Sequence, residues 1–470
     1  MKQATPTRVI GYVLEGYQRY YDSAFWMRDE GIMAERRALL STPGVMAQEP
    51  LLEAVPQYPS VEDIADACRR AGLSEETAIR LGDVVFGASK GVMLRQHQAA
   101  SLVTAIAGNK AGHRNVVVTS GTGSGKTESF LLPLLATLLE ERREGIGQGG
   151  PHAWWALELG RDAKQWHHLR SKISNGPTPA IRAMVLYPTN ALVEDQISRL
   201  RQAASRARAI HGQPLFYFGR YTGATLGGTF LPPAELDASA RGRINEVGRE
   251  VRQVQKEAKQ LRDTMESRGE SQSKILEACS QFQDPLSGEM LTRWDMITSP
   301  PDIMITNMSM MNVMLMRDVE APLFQKTKDW LESDPTNVFT LVVDELHSYR
   351  GTQGTEVALV VRNMLDRLGL APDSKQLRCI ATSASINGDE GKDYLQEFFG
   401  VDGASFTILP GSPRVFDHPL PVETDAIASE ADALLGDSTS EAGLAANRVA
   451  QAFSPREALA TACKVVGTTD

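Results

Sequence analysis

The feature that most constrains this chain is a glycine-rich loop at residues 119–128 (TSGTGSGKTE), between an apolar strand at 116–118 and an apolar helix at 130–139. Glycines at 121, 123 and 125 allow a tight turn in which successive amide N–H groups point at one anion. The positive end of the following helix adds to that attraction. This combination predicts a phosphate-binding loop. A glycine-rich turn with an incidental lysine is the alternative, and the coincidence of strand, loop, Gly-Lys-Thr and helix weighs against it.

The residue types in the loop predict individual roles. Lys126 is expected to reach the β- and γ-phosphates of a nucleotide, and the Thr127 hydroxyl to ligate Mg²⁺. The usual pattern begins with Gly, whereas this chain has Ser120 at that position. The predicted nucleotide-binding residues of the loop are Ser120, Gly121, Thr122, Gly123, Ser124, Gly125, Lys126, Thr127 and Glu128.

A second strong pattern is an apolar strand at 339–343 that ends in the acidic residues Asp344 and Glu345. Open α/β sheets place their ligands at the carboxyl ends of strands. Asp344 is predicted to hold Mg²⁺, mostly through water, and Glu345 to orient and deprotonate an attacking water. A strand followed by a solvated acidic turn is the alternative. With Lys126 and His347, these two acids are the predicted catalytic residues; Thr127 and Asp344 are the predicted metal ligands.

Composition sets outer bounds on function. A length of 470 residues gives a prior of about three domains. The longest apolar run, at 131–139, is too short to span a bilayer, so we expect no membrane partner and a cytoplasmic location. Four cysteines without a C-x-x-C pair argue against a zinc site or a disulfide framework. A net charge of −9 is unfavourable for gripping duplex DNA by a broad basic face, but it leaves single-strand binding open.

Residues 94–98 (LRQHQ) lie just before a helix that leads into the phosphate loop. Here the chain resembles superfamily 2 helicases of the DExH type, in the L-x-x-H-Q form of the Lhr-like and mitomycin-repair-type enzymes. The resemblance implies that Gln98 recognises adenine, because an amide offers both a donor and an acceptor. The expected cofactors are therefore ATP and Mg²⁺. Arg95 stands where those enzymes often carry Tyr, and its guanidinium can stack on the base instead.

Three further segments resemble strand-binding motifs of the same helicases. They are residues 186–196 (LYPTNALVEDQ), 219–223 (GRYTG) and 306–307 (TN), which follow strands predicted at 183–187, 215–218 and 302–307. The resemblance implies that these turns hold the phosphates of one strand. The nucleic-acid-binding residues that it implies are Thr189, Asn190, Thr222, Gly223, Thr306 and Asn307. The expected partner is nucleic acid, with single-stranded DNA favoured.

Residues 379–385 (CIATSAS) resemble the coupling motif of these helicases. The resemblance implies that Thr382, Ser383 and Ser385 hydrogen-bond the acidic motif and relay the state of the nucleotide. It also implies that His347 connects the nucleotide site to the strand-binding motifs. A simple turn at the end of a strand has the same pattern.

A different periodicity governs residues 244–265, where apolar residues recur at alternating spacings of three and four. This heptad seam predicts a long charged helix that projects from the domain and packs on a partner, in a helical hairpin or a coiled coil.

Together these patterns predict an α/β fold: a RecA-like P-loop domain at 91–410, with a parallel sheet flanked by helices. Insertions are expected at about 141–180 and at 230–298, the second carrying the coiled-coil-like helix. Residues 1–90 are predicted to form a helical N-terminal region, and 411–470 a helical or linker tail. A Q-x-x-G-R-x-x-R-type motif of a second domain is not found. We therefore expect the chain to be the N-terminal half of a longer helicase or one part of a split one, needing a second RecA-like domain or subunit.

The function predicted is that of an ATP-dependent nucleic-acid helicase or translocase, with DNA repair and phage defence both left open. One alternative is a P-loop ATPase that remodels a protein assembly, but the strand-binding motifs then have no purpose. The other is a non-catalytic, ATP-binding scaffold, against which the intact Lys126, Asp344 and Glu345 argue.

Overall fold

The computed structural model describes residues 6–42, 44–47, 58–121, 123–143, 145, 147–386 and 388–412. Thr122 of the predicted phosphate loop, and the predicted tail from residue 413 onward, lie outside the described residues. The chain divides into two compact units, one of Met1–Gln57 with Pro413–Asp470 and one of Tyr58–Ser412.

The described part of the first unit is a pair of helices, α1 (Pro6–Ala24) and α2 (Glu30–Leu40). Asp22 of α1 accepts hydrogen bonds from Arg36 at 3.0 Å and from Arg37 at 2.7 Å, which ties the two helices together. Asp29 caps α2 by accepting from the amide of Ile32 at 3.0 Å, as an N-cap aspartate does.

The second unit contains the remaining strands and helices. The strands are β1 (Ser60–Asp63), β2 (Met93–Arg95), β3 (Asn115–Thr119), β4 (Ala183–Tyr187), β5 (Phe218–Tyr221), β6 (Glu289–Met290), β7 (Ile303–Asn307), β8 (Phe339–Val343), β9 (Leu377–Ser383) and β10 (Phe406–Pro410). The helices are α3 (Ile64–Arg70), α4 (Glu75–Phe86), α5 (Gln96–Ala107), α6 (Lys126–Glu141), α7 (Asn190–His211), α8 (Ala238–Ser267), α9 (Gln272–Cys279), α10 (Arg293–Thr298), α11 (Met308–Met316), α12 (Ala321–Ser333), α13 (Gly351–Arg367) and α14 (Gly388–Phe399).

Eight strands form one parallel sheet in the order β10-β3-β9-β8-β4-β7-β5-β6. Strand β9 therefore separates the strand before the phosphate loop from the strand before the acidic motif. The predicted α/β class with a parallel sheet is confirmed. Strands β1 and β2 form a separate antiparallel pair.

Alternate residues of the central strands enter two different cores, one on each face of the sheet. In β3, Val117 packs in one core while Val116 and Val118 pack in the other. Strand β8 does the same with Leu341 and Val342. A parallel sheet covered by helices on both faces needs apolar residues at every position, which explains the continuous apolar runs in the sequence.

The strand predicted at 215–218 has the wrong bounds, because β5 begins at Phe218 and runs to Tyr221. Tyr217 is held by side-chain and backbone groups of Asp302 instead. Its amide donates to Asp302 Oδ2 at 2.7 Å, and its carbonyl accepts from the Asp302 amide at 2.8 Å. Burial of 215–217 in a loop made this segment look like a strand. Strand β9 begins and ends two residues before the segment 379–385 that resembles the coupling motif.

The long helix predicted from the heptad seam is α8, and its partners lie within the chain. Ile244 and Val251 are buried in the same core as Trp154 and Trp155 of the first insertion. The Trp155 indole donates to Gln255 of α8 at 2.9 Å. Further along, α8 packs against α9. The expectation that the helix projects from the domain is therefore wrong for its first half.

A buried ion cluster fixes the amino-terminal edge of the sheet. Asp302, just before β7, is fully buried beside Arg142 at 2.7 Å, Arg182 at 3.3 Å and Arg170 at 3.8 Å. Burial raises the pKa of Asp302, but the three guanidinium groups outweigh it and lower that pKa to about 2. The cluster joins the end of α6, the first insertion and the start of β4.

None of the helices among the described residues is both long and apolar enough to cross a membrane.

Candidate active site

The loop between β3 and α6 has backbone conformations that favour glycine. Gly123 has φ 73° and Gly125 has φ 78°, both in the left-handed region. At Gly125 space is also lacking, since a Cβ atom would lie 2.4 Å from Gln98 Nε2. The loop thus turns directly into α6, which begins at Lys126.

Helix α5 supports this loop from behind. His97 Nε2 lies 2.8 Å from the carbonyl oxygen of Ser124, and burial lowers the pKa of His97, which favours the neutral ring as donor. Gln98 donates from Nε2 to the carbonyl of Gly125 at 3.2 Å and accepts at Oε1 from the amide of Arg95 at 2.9 Å. Both ends of the Gln98 amide therefore have protein partners, and pairing with adenine would require it to exchange them.

A cleft of about 490 Å³ opens beside the loop. Phe86 and Met93 supply apolar lining, and Arg95, Lys126 and Arg199 supply positive charge. The Arg95 guanidinium donates to the carbonyl of Gly123 at 2.8 Å, so it lies at the predicted phosphate loop in this structure. An apolar wall next to cations suits a ligand with an aromatic base and phosphates.

The structure brings the loop lysine to the acidic motif. Lys126 Nζ lies 3.3 Å from Glu345 Oε1, and both side chains are largely withdrawn from solvent. Asp344 is also buried, and it accepts a hydrogen bond from the Thr382 hydroxyl. Burial raises the pKa of Asp344, and the bond from Thr382 opposes that rise.

Glu345 has an unusual backbone for a residue with a side chain. Its φ of 51° and ψ of 46° lie in the left-handed region, where an L-residue costs about 1–2 kcal/mol. The Glu345 amide donates to Thr382 Oγ1 at 3.1 Å, which helps to hold this conformation. Backbone strain of this kind concentrates at functional sites.

His347 and the end of β9 form the next layer of contacts. His347 Nδ1 lies 3.3 Å from Glu345 Oε2 and 3.5 Å from the amide of Ala384. Of the three predicted coupling residues, Thr382 contacts the acidic motif directly. Ser383 Oγ accepts from the amide of Ser385 at 3.3 Å, and Ser385 Oγ accepts from Arg350. The link between Arg350 and Ser385 was not anticipated from the sequence.

Gln196 is a second residue that sequence reasoning missed. It is a buried member of α7, and its Nε2 lies 3.3 Å from the hydroxyl of Thr127, the predicted metal ligand. It belongs to the LYPTNALVEDQ segment, to which the sequence assigned only strand binding. The position of Gln196 on the helix after β4 could be read from the sequence. Its contact with Thr127, 69 residues away in the chain, could not, because no local pattern encodes that contact.

The predicted strand-binding residues lie in or just after the last residues of β4, β5 and β7, three adjacent strands, at one edge of the sheet. Thr189, Asn190 and Gly223 are exposed there. Asn307 Nδ2 donates to Asn190 Oδ1 at 2.6 Å, which joins two of the motifs.

Thr222 and Thr306, by contrast, are buried and use their hydroxyls inside the protein. Thr306 donates to the carbonyl of Tyr221 at 2.6 Å, and Thr222 accepts from the amide of Ala224 at 3.3 Å. These two residues shape the edge, and the exposed groups beside them are the ones available to a ligand.

Comparison with known proteins agrees with this geometry. Residues 95–217, which contain the loop, match the family model of the DEAD/DEAH box helicases. The chain is 30% identical over 432 residues to the Druantia protein DruE of Escherichia coli (strain UMEA 4076-1), covering 85% of this chain and 22% of that protein. The chain thus spans about a fifth of the length of this curated relative.

Solved structures with a similar fold include two helicases. The DUF1998 helicase MrfA bound to DNA and AMPPNP is 16% identical, with a TM-score of 0.39, over 85% of this chain and 41% of that one. Mss116p bound to ssRNA and AMP-PNP is 11% identical, with a TM-score of 0.38, over 77% of this chain and 47% of that one.

The phosphate loop, the acidic motif at the end of β8 and the parallel sheet that joins them occur in the same chain as the family match. The chain is thus similar to the DEAD/DEAH box helicases over residues 95–217, and to DruE over 85% of its own length.

Proposed function

We propose that this chain is the ATP-binding half of an ATP-dependent helicase or translocase that acts on a single-stranded nucleic acid. The observation that carries the proposal is the convergence of Lys126 and Glu345 at 3.3 Å, beside the buried Asp344. One site then contains Lys126 to bind phosphates, Asp344 to bind a metal ion and Glu345 to orient a water molecule.

Each side chain then has a chemical task. Lys126 leaves Glu345 and binds the β- and γ-phosphates, while the glycine-rich backbone donates N–H groups to them. Freed from the lysine, Glu345 accepts a proton from the water whose oxygen attacks the γ-phosphorus, and ADP departs with the electrons of the broken P–O bond.

The residues also fit a magnesium ion. The Thr127 hydroxyl and the Asp344 carboxylate are oxygen donors of the kind that Mg²⁺ binds alongside phosphate and water. When bound, the ion would neutralise charge that develops on the phosphates. The Thr382 hydroxyl orients Asp344, so it would keep one carboxylate oxygen turned toward the ligand side.

The nucleic-acid contact follows from the exposed edge of the sheet. Thr189 is the N-cap of α7 and makes no side-chain capping hydrogen bond to its first turn, and Asn190, Gly223 and Asn307 extend that row along the neighbouring strands. Backbone amides and neutral side chains suit strand phosphates and read no sequence. A net charge of −9 is compatible with such contacts.

Full activity on this proposal needs a facing RecA-like domain. Arginines from such a domain stabilise the transferring phosphate and are worth on the order of 10³- to 10⁵-fold in rate. Residues 1–470 alone are therefore expected to bind ATP, hydrolyse it slowly and leave a duplex intact. Addition of a downstream RecA-like domain should restore fast ATP hydrolysis and duplex unwinding.

The test measures ATP binding and hydrolysis by residues 1–470, with and without single-stranded DNA or RNA of equal length. Lys126→Ala should abolish binding, and Glu345→Gln should keep binding while blocking turnover. Lys328→Ala is the control, because that lysine pairs with Glu332 on α12, away from the cleft. ATP binding by Lys126→Ala at the parent affinity would refute the site. Turnover indifferent to both nucleic acids would favour a protein-remodelling ATPase.

A further inference from the structure

Two buried polar atoms close to the predicted metal ligands have no hydrogen-bond partner among the described residues. They are the Tyr187 hydroxyl at the end of β4 and Gln196 Oε1 in α7. Buried polar groups are nearly always paired with protein or with ordered water. Such unpaired atoms therefore indicate where water or a ligand group belongs.

Tyr187 and Asp344 occupy equivalent places on adjacent strands. The amide of Asp344 donates to the carbonyl of Leu186 at 3.1 Å, which continues the register in which Val185 lies opposite Val342. Val185, Val342 and Tyr187 all pack in the core beneath α6 and α7. Side chains two residues apart along a strand share a face, so Tyr187 and Asp344 lie on the α6 side of the sheet.

The Tyr187 hydroxyl is a permanent donor. The side chain is fully buried, and burial together with the charge of Asp344 holds the pKa of the phenol well above its usual value. It therefore keeps its proton at neutral pH. A buried phenol costs free energy when its hydroxyl has no partner, so its presence in a tightly packed core calls for one.

Gln196 supplies the complementary acceptor. Its Nε2 already donates to Thr127 Oγ1 at 3.3 Å and to Asp195 Oδ2 at 3.2 Å, which fixes the amide plane. The carbonyl end, Oε1, has no donor within the described part of the chain. The unpaired donor thus belongs to Tyr187, the neighbour of Asp344 on the adjacent strand. The unpaired acceptor belongs to Gln196, which contacts the Thr127 hydroxyl.

We propose that Tyr187 and Gln196 are positioning residues of the magnesium site, which hold from the α7 side the water molecules that surround the ion between Thr127 and Asp344. Mg²⁺ sheds its waters reluctantly and usually keeps several, so a protein that binds it needs groups to orient them. Water offers protons to Gln196 Oε1 and a lone pair to the Tyr187 hydroxyl. This inference rests on the proposed nucleotide site.

The test compares Tyr187→Phe and Gln196→Ala with the parent chain. Binding of a fluorescent, non-hydrolysable ATP analogue is measured against Mg²⁺ concentration, and again with EDTA. Each variant should raise the Mg²⁺ concentration for half-maximal binding by about 10-fold, as loss of outer-shell groups does. Binding in EDTA should not change. The double variant should shift the midpoint by less than the product of the two single effects, because both residues hold the same waters.

Stability separates this role from a purely structural one. The Tyr187 hydroxyl has no partner among the residues that the structure describes, so Tyr187→Phe should melt at the parent temperature or slightly above it. Tyr217→Phe is the matched control, since Tyr217 is a buried phenol next to Asp302 at the opposite edge of the sheet, and it should leave the Mg²⁺ midpoint unchanged.

The outcomes are distinct. A parent chain without Mg²⁺-dependent nucleotide binding would refute the proposed function itself. A parent chain that depends on Mg²⁺, together with a folded Tyr187→Phe variant of identical midpoint, would overturn the role of Tyr187 alone. If Tyr187→Phe lowered the melting temperature and left the Mg²⁺ midpoint unchanged, Tyr187 would have only a structural role, which would also overturn the proposal for this residue.

Discussion

Lys126 Nζ and Glu345 Oε1 lie 3.3 Å apart although 219 residues separate them in the sequence. The lysine of the phosphate loop is therefore already neutralised by the predicted general base. On the function proposed above, a nucleotide has to displace Glu345 from this pair before Lys126 can bind its phosphates. This ion pair would keep the two side chains together when no phosphate is bound, and it would compete with a phosphate for Lys126.

The first prediction concerns this competition. Glu345→Gln should bind ATP with equal or up to several-fold higher affinity than the parent, because an amide holds the lysine less strongly than a carboxylate. Turnover should fall by at least about 100-fold with the general base removed. Isothermal titration calorimetry and a phosphate-release assay measure the two quantities. An affinity clearly below that of the parent would show that Glu345 does not compete with phosphate.

The second prediction concerns the left-handed backbone of Glu345. Glu345→Gly should be more stable than Glu345→Ala by about 1 kcal/mol, because only glycine adopts this conformation without strain. At Glu356, an exposed position in α13, the same comparison should have the opposite sign, since glycine costs about 1 kcal/mol in a helix. Chemical denaturation gives both differences. Equal signs at the two positions would contradict the strained geometry.

A third prediction follows from the bond between Thr382 and Asp344. Burial raises the pKa of Asp344 and this bond opposes the rise, so Thr382→Val should raise that pKa further. The acid limb of ATP hydrolysis should then move to higher pH, because the ionised carboxylate loses a hydrogen bond that favours it. Thr382→Ser keeps the hydroxyl and should keep the profile. Identical profiles for the valine and serine variants would remove Thr382 from the site.

The fourth prediction concerns the cluster around Asp302. Asp302→Asn should destabilise the domain by about 3–5 kcal/mol, because three buried guanidinium groups lose the charge of Asp302 and only Arg182, which pairs with Glu141, keeps another carboxylate among those shown. Glu158→Gln removes an exposed partner of Arg252 and should cost less than about 1 kcal/mol.

The same cluster sets a pH dependence. The pKa of Asp302 is about 2 in the folded protein and 3.8 as the ordinary value, so its stabilising effect is complete above pH 4 and is lost as pH falls toward 2. Melting temperatures of the parent and of Asp302→Asn should converge over that interval. A constant difference from pH 7 to pH 2 would argue against an ionised Asp302.

The fifth prediction separates exposed from buried residues of the strand-binding motifs. Asn190→Ala should weaken binding of a labelled single strand by about 5-fold, as the loss of one hydrogen bond of about 1 kcal/mol does, with no preference among sequences. Thr306→Val should lower stability and leave the strand affinity of the folded protein unchanged, because its hydroxyl is bonded to Tyr221. Fluorescence anisotropy measures both. A larger loss of affinity from Thr306→Val than from Asn190→Ala would overturn the assignment.

The sequence alone determined the elements that depend on residues close together in the chain. The glycine-rich loop before α6, the apolar runs of β4 and β8 and the heptad seam of α8 each follow from residue spacing within one segment. Backbone conformation, burial and helix capping act over a few residues, so a pattern of that length predicts them. The resemblance to helicases rests on the order of such segments.

The tertiary structure decided which distant groups meet. It placed β9 between β3 and β8, joined Lys126 to Glu345, selected Thr382 rather than its neighbours as the partner of Asp344, and left the Tyr187 hydroxyl unpaired. It also gave the first half of α8 a partner in the first insertion. These outcomes depend on strand order and on packing between segments far apart in the chain. A local pattern specifies what each segment buries, whereas the partner it is buried against is fixed only when all segments pack together.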